Sequence, residues 1–344
     1  MTSKASILIE PLKRGRVIAD TFEVVSKIGE GGCGSVYKCK HLKKKGVIVA
    51  VKVLDQPEDV QRFHREGNVL KGTRHPNVVR LYGKGLIDGR PYLAMEFING
   101  GSVRDLLKSK RKLPQEEAGW LLVQTVRGLR AAGTVHRDLK PENLLLVGNR
   151  RVTQVRIGEE ESDSGTQVKV ADFGLAKSVG GGDSLNLTHS GQVMGTPVYM
   201  SPEQCRSSKN VSFKTDVYAV GIMLYEMVNG KLPFDGSNVY DIMNMHCDQE
   251  PAYPKRMPRE ARAICERCLQ KAAGQRYRSL AALERDLAHL AGVPSEGGGG
   301  GCLVKMVLVL IVLAGLAAAA WYFQGHYTDL WQRYLPEVLW REVP

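Results

Sequence analysis

The sequence predicts an α+β chain of two lobes with a cleft between them, a small β-rich lobe leading and a larger helical lobe following. Three observations predict it: strand-like segments crowd the first third of the chain, helical periodicity dominates beyond Leu113, and one long uncharged run stands apart near the C-terminus. A strand-rich half ahead of a helix-rich half implies two lobes, each with its own layers.

Taken in order, residues 1–20 form a short lead. Phe22–Ile28, Ser35–Cys39 and Val47–Leu54 then read as strands separated by glycine or lysine turns. Val60, Phe63, Gly67 and Leu70 recur at intervals of three and four, which predicts a helix over Val60–Leu70. Glu116–Leu129, Thr215–Val228 and Ala261–Leu269 carry the same helical period. The small lobe covers about 21–97 and the large lobe about 98–290, with a charged surface excursion at about 148–167. The linker 291–302 contains the glycine run Gly297–Gly301, which cannot hold a fixed orientation. No repeat of solenoid period occurs.

Residues 303–323 predict a membrane-spanning helix, because Met306–Phe323 carries no charge. At about 1.5 Å per residue the segment reaches roughly 30 Å, the thickness of a bilayer's hydrocarbon layer. Lys305 can snorkel at one edge, and Trp321 with Tyr322 fits an interfacial belt at the other. A helix buried in a soluble core is the alternative. The tail 324–344 is too short for a folded sensor domain, and its Trp331, Tyr334, Leu335, Val338, Leu339 and Trp340 suit a membrane surface or a partner helix.

The 48 Lys and Arg against 36 Asp and Glu leave a net charge of +12. That sign suits phosphate-bearing ligands or an anionic membrane, or simply a solvated basic surface. No long Lys/Arg block suggests a nucleic-acid partner. The 7 cysteines, odd in number and irregularly spaced, do not form a disulfide framework. Cys265 and Cys268 lie on a helical pattern without a second Cys/His pair, so they read as packed thiols rather than metal ligands.

The chemistry begins at Ile28-Gly29-Glu30-Gly31-Gly32-Cys33-Gly34-Ser35-Val36. A dinucleotide-binding turn would open a helix at its last glycine. Here Val36-Tyr37-Lys38-Cys39 continues as strand, so the glycines fit a hairpin flap approaching phosphates, or a plain turn. In Val49-Ala50-Val51-Lys52 a lysine sits among apolar neighbours, where its charge needs an anion. Glu66 is the candidate partner, and an ordinary strand-end lysine is the alternative.

The most specific signal is His136-Arg137-Asp138-Leu139-Lys140-Pro141-Glu142-Asn143. With it the sequence resembles the protein kinase family from about Phe22 to Leu290. The glycine loop, Val-Ala-Val-Lys, His-Arg-Asp, Asp172-Phe173-Gly174 and Ser201-Pro202-Glu203 follow in the family's order with suitable gaps. The resemblance implies the bilobal protein kinase fold, ATP with Mg²⁺ (or Mn²⁺) in the cleft, and phosphoryl transfer to serine or threonine hydroxyls of protein substrates.

Such transfer rests on positioning and countercharge. By this resemblance Lys52, held by Glu66, grips the α- and β-phosphates, while Asn143 and Asp172 offer oxygens to the metal. Asp138 orients the substrate hydroxyl and accepts its proton, Lys140 neutralises the moving group, and Thr196 supports Asp138. Lys140 and Thr196 point to the serine/threonine branch. Ile28, Val36 and Ala50 lie above the adenine and Leu145 below it. Met95 guards the back of the pocket, and Glu96 and Ile98 present backbone groups to the adenine edge. Arg137 is the charge that would hold a phosphorylated activation loop, with Thr188 and then Ser190 as autophosphorylation sites reached by self-association. Asp216 resembles the aspartate that anchors the catalytic loop, and Arg276 the arginine that pairs with Glu203.

Three features depart from the family. Cys33 stands where an aromatic is usual, Ser201 replaces an alanine, and the excursion 148–167 is long and charged, a solvated loop or a docking site. A membrane-bound pseudokinase scaffold is the competing expectation, but such chains commonly lack the lysine or one of the aspartates present here as Lys52, Asp138 and Asp172. ATP supply places the lobes of this single-pass membrane chain on the cytoplasmic side.

Overall fold

A computed structural model describes residues 11–31, 34–54, 72–148, 151–158, 165–173, 197–206, 211–295, 315–318 and 321. The chain divides into two units, Met1–Ser295 and Glu296–Pro344. Among the described residues no helix is long and apolar enough to cross a membrane. Of the segment 303–323 only residues 315–318 and 321 are described, and they are helical. The helix expected over Val60–Leu70 lies outside the described residues.

The first unit opens with a six-stranded sheet. Its strands are β1 (Val17–Ile18), β2 (Phe22–Gly31), β3 (Gly34–His41), β4 (Ile48–Leu54), β5 (Leu81–Ile87) and β6 (Arg90–Glu96), antiparallel in the order β1-β2-β3-β4-β6-β5. Alternation along the strands sorts the side chains to two faces. Tyr37, Cys39, Val49, Val51, Val53 and Ala94 bury on one face, in a core closed by Ile18 and Phe22. The cross-strand partners Val36, Lys52 and Leu93, and likewise Ala50 and Met95, share the other face, which roofs the cleft.

Two backbone positions make this sheet possible. At Gly34 φ is +142°, and a Cβ would fall 2.1 Å from the Val53 carbonyl oxygen, so only glycine lets β3 lie this close to β4. Asp88 and Gly89, at φ 48° and 73°, supply the two positive-φ positions of a tight hairpin between β5 and β6.

The larger lobe contains α1 (Val103–Lys110), α2 (Gln115–Ala132), α3 (Pro202–Arg206), α4 (Phe213–Asn229), α5 (Val239–Asp248), α6 (Arg259–Cys268) and α7 (Leu280–Ala291), with the hairpin β7 (Leu144–Leu146) and β8 (Val168–Val170). α2 and α4 are buried on nearly all sides and form its centre. Arg127 on α2 meets Glu284 on α7 at 3.0 Å, with both side chains almost fully buried. Cys265 and Cys268 are fully buried free thiols, pushed far toward the neutral form by burial.

The strands and helices expected after residue 20, where described, are present, with ends displaced by a few residues. One stretch differs from expectation. Residues 11–20, read as a lead, join the sheet: Ile18 is fully buried, and the Leu12 amide donates to the Tyr37 hydroxyl at 3.0 Å. The excursion is anchored at a few points, while Arg151, Thr153, Gln154, Arg156 and Ile157 are exposed as expected and 159–164 lie outside the described residues. The Val152 amide donates to the Gly100 carbonyl at 2.8 Å, Trp120 Nε1 donates to the Thr166 carbonyl at 2.8 Å, and Val155 is buried.

Arg276 braces the lobe. Its guanidinium is fully buried and grips Glu203 through Nη1–Oε1 at 2.8 Å and Nη2–Oε2 at 2.9 Å, while Thr215 Oγ1 donates to Oε1 at 2.8 Å. Burial alone would raise the Glu203 pKa, but the paired Arg276 donors hold it below the usual carboxylate range. Removing one partner strands a buried charge, so Arg276→Met should cost about 3–5 kcal/mol in the urea unfolding midpoint. A loss of only about 0–1 kcal/mol, the range of a surface pair, would contradict that bracing role.

Candidate active site

The segment 136–143, between α2 and β7, takes its path from one buried carboxylate. Asp216, in the first turn of α4 and 1% exposed, accepts the His136 amide at 2.8 Å and the Arg137 amide at 3.0 Å. Burial pushes its pKa up, and His136, the two amides and Arg137 oppose that rise. Arg137 has φ 68°, a left-handed conformation that costs a non-glycine residue on the order of 1 kcal/mol and persists only where surroundings enforce it. His136 completes the base of the loop: its Nε2 lies 2.8 Å from the Ala171 carbonyl oxygen, and its ring packs on Phe173 at 4.9 Å between centroids.

Three chemistry-bearing side chains of this loop are then fixed by short contacts. Lys140 Nζ donates to Asp138 Oδ2 at 2.8 Å. Burial works against the Lys140 charge, but Asp138 first, then Glu142 and Asp172, hold its pKa above the usual value. Asn143 Nδ2 donates to the Asp138 carbonyl at 2.7 Å, so its own amide oxygen is the atom it can offer a cation. The Ala171 amide donates to the Asn143 carbonyl at 2.9 Å, which ties this loop to Asp172.

From the sheet above, Lys52 is 7% exposed and reaches Asp172 Oδ2 at 2.8 Å. Burial raises the Asp172 pKa, yet Lys52, with His136 and Lys140 behind it, outweighs burial and holds the carboxyl below its usual value. Asp172 also has φ 59°, a second strained residue within the site. The expected contact of Lys52 with Glu66 lies outside the described residues, and Asp172 is the anion the structure places on Lys52.

The residues expected to wall the pocket differ in exposure. Ile28 is 48% exposed, Val36, Ile98 and Leu145 are half-buried, Ala50 is buried, and Met95 packs against the large lobe's core. The flap strands pair Gly29 with Val36, Glu30 with Ser35 and Gly31 with Gly34. Glu96 spends its amide on the Arg80 carbonyl at 2.8 Å and its carboxylate on Lys169 at 3.0 Å. Gly32, Cys33, Thr188, Ser190 and Thr196 lie outside the described residues.

Sequence reasoning missed two supports. Gln204 Nε2 donates to the Arg137 carbonyl at 2.7 Å. Arg104 on α1 joins Glu226 at 2.6 Å, Glu142 at 2.8 Å and the Tyr199 hydroxyl, which itself donates to Glu226 at 2.5 Å. This node links α1, the catalytic loop, α4 and the segment before α3.

Residues 22–287 match the protein kinase domain family. A probable serine/threonine-protein kinase of Clostridium perfringens is 32% identical over 293 residues, covering 82% of this chain and 40% of that protein. Serine/threonine-protein kinase pkn3 of Myxococcus xanthus is 35% identical over 258 residues, 72% of this chain and 45% of its own. Serine/threonine-protein kinase PknA of Mycobacterium tuberculosis is 34% identical over 279 residues, 77% and 60% respectively. The chain thus spans 40% to 60% of the length of these three relatives. It belongs to the protein kinase family.

The Lys52–Asp172 pair makes an acid-range prediction. A depressed carboxyl contributes stability above its unfolded pKa of about 3.9 and loses it as pH falls through the lower folded value. In Lys52→Met the Asp172 pKa rises toward or past its unfolded value, so the variant should lose stability at neutral pH and show a shallower acid limb than wild type in denaturant titrations. An unshifted acid limb would remove Lys52 as the cause.

Proposed function

We propose that this chain is an ATP-dependent serine/threonine protein kinase tethered to a membrane. The observation that carries the kinase reading is the Lys52–Asp172 ion pair at 2.8 Å, which joins the sheet to the loop region where Asp138, Lys140 and Asn143 are held. An ammonium beside hard oxygen donors fits a nucleotide's phosphates and a divalent cation, Mg²⁺ first and Mn²⁺ as the alternative. Asn143 and Asp172 would hold the metal, and Lys52 the phosphates. Bound ATP with its metal supplies the transferable phosphoryl group and most of the countercharge.

The chain's own groups do the rest. Lys140 engages Asp138 at Oδ2, which leaves Oδ1 to orient a substrate hydroxyl and take its proton. Lys140 stands beside the path of the moving group as a fixed positive charge. The strained turn at Arg137 presents that carboxylate, and Asp216 holds the turn. The serine/threonine preference is supported by Lys140, by Thr196 and by relatives whose names are serine/threonine-protein kinases. The assembled cluster of Lys52, Asp138 and Asp172 argues against a scaffold without catalysis.

Thr188 and Ser190 are the proposed autophosphorylation sites, with Arg137 as the receiving charge and self-association as the route. The tether is the uncharged run within 303–323; Leu316 and Trp321, 62% and 77% exposed on helical backbone, support it. ATP supply then puts the kinase unit on the cytoplasmic face.

A phosphate-transfer assay with Asp138→Asn tests the chemistry. The rate should fall about 10²- to 10⁴-fold, the range for loss of a positioned general base. Equal labelling by both proteins would remove Asp138 from the mechanism. Separately, deleting residues 303–323 should move the chain from an alkali-resistant membrane pellet to the soluble fraction, and unchanged pelleting would end the tether reading.

A further inference from the structure

The turn between β3 and β4 carries charge that the cleft does not use. Lys43, Lys44 and Lys45 follow one another at its tip, with Lys40 just before, and all four are exposed. Leu42 and Val47 flank the tip and expose 51% and 38% of their surface. Glu23 stands across from Lys40 in the β2–β3 register, which leaves the tip lysines in excess. Among the described residues Lys43, Lys44 and Lys45 form no ion pair. Glu23, Lys40, Lys45 and Ile48 line an open recess beneath them.

This tip is held in shape. The His41 amide donates to the Val47 carbonyl at 3.0 Å, and the Lys44 and Val47 amides close the turn onto His41 and Lys44 at 3.2 Å each. The Leu42 amide donates to the Thr21 carbonyl at 2.8 Å, pinning the tip to the β1–β2 turn. A fixed turn therefore holds like charges side by side and two aliphatic side chains in water. Both features cost free energy in isolation, and one kind of surface relieves both.

We propose that this turn docks the kinase unit on an anionic lipid bilayer. Headgroup phosphates and carboxylates take the lysines, while Leu42 and Val47 enter the boundary between headgroups and acyl chains. A nucleic acid would answer the lysines and leave the aliphatics wet. A folded protein would meet a single short turn, too few residues to bury the area a specific interface needs. The proposal stands on the first unit alone and not on the segment 303–323, so the tether can fail without touching it.

The test uses residues 1–295, the compact unit that contains both core clusters found among the described residues. The protein is sedimented with vesicles of phosphatidylcholine alone and of phosphatidylcholine mixed with phosphatidylserine. Pelleting is expected only with the anionic vesicles and should fall as salt is raised. The triple variant Lys43→Gln, Lys44→Gln, Lys45→Gln should weaken it on the order of a hundredfold, and Leu42→Ser should weaken it further. An unchanged unfolding midpoint shows that the variants are folded. Pelleting with neutral vesicles alike, no pelleting at all, indifference to the triple variant, or retention on heparin without vesicle binding each overturns the proposal.

Discussion

Asp216 holds the rest of the site in place. One carboxylate, buried in the first turn of the lobe's central helix, takes two successive backbone amides at 2.8 and 3.0 Å. Two charge-assisted hydrogen bonds offset the strain of the left-handed Arg137 and set the direction in which Asp138 leaves the loop. From there the order propagates by short contacts: Asn143 to the Asp138 backbone, Ala171 to the Asn143 backbone, and Asp172 to Lys52. The chemistry is thus assembled on a rigid helix although its residues sit on loops.

The two lobes meet this centre in different ways. The small sheet arrives with one apolar face already buried against its own side chains, and its other face presents Lys52 with Val36 and Ala50 beside it. The large lobe meets it with polar braces, Arg276 on Glu203 and Arg104 on Glu226, Glu142 and Tyr199. These braces cross long sequence distances and fix where the segments around α3 can lie. Apolar packing sets the lobes, and buried charge sets the register between loops.

How much of this was legible depended on range. The catalytic loop was readable because its chemistry is packed into eight consecutive residues, His136 to Asn143. The strands β2 to β4 were readable because strand-like segments lie between glycine or lysine turns. Some signals were present and unused: Asp88-Gly89 marks the β5–β6 hairpin, and Ser102 with Asp105 forms the capping box that starts α1. Others were beyond local reading. β1 is two residues long and exists only through its cross-strand partner, while Arg104 finds Glu226 across 122 positions. The packing of Val152 and Val155 needed the groove beside α2, which no window of sequence displays.

The way residues 11–18 join the sheet bears on where a self-sufficient piece of this protein begins. The match to the protein kinase domain family starts at 22 and stops at 287. Yet the Gly15 amide and the Arg16 carbonyl pair with Val24, Ile18 fills the sheet's core, and Arg127 reaches the Pro294 carbonyl at 3.2 Å beyond the end of α7. A piece trimmed to the shared boundaries would expose apolar surface at one end and leave a buried cation short of an acceptor at the other. Recombinant fragments cut there would aggregate or be nicked by proteases, so the folding unit is wider at both ends than the family match.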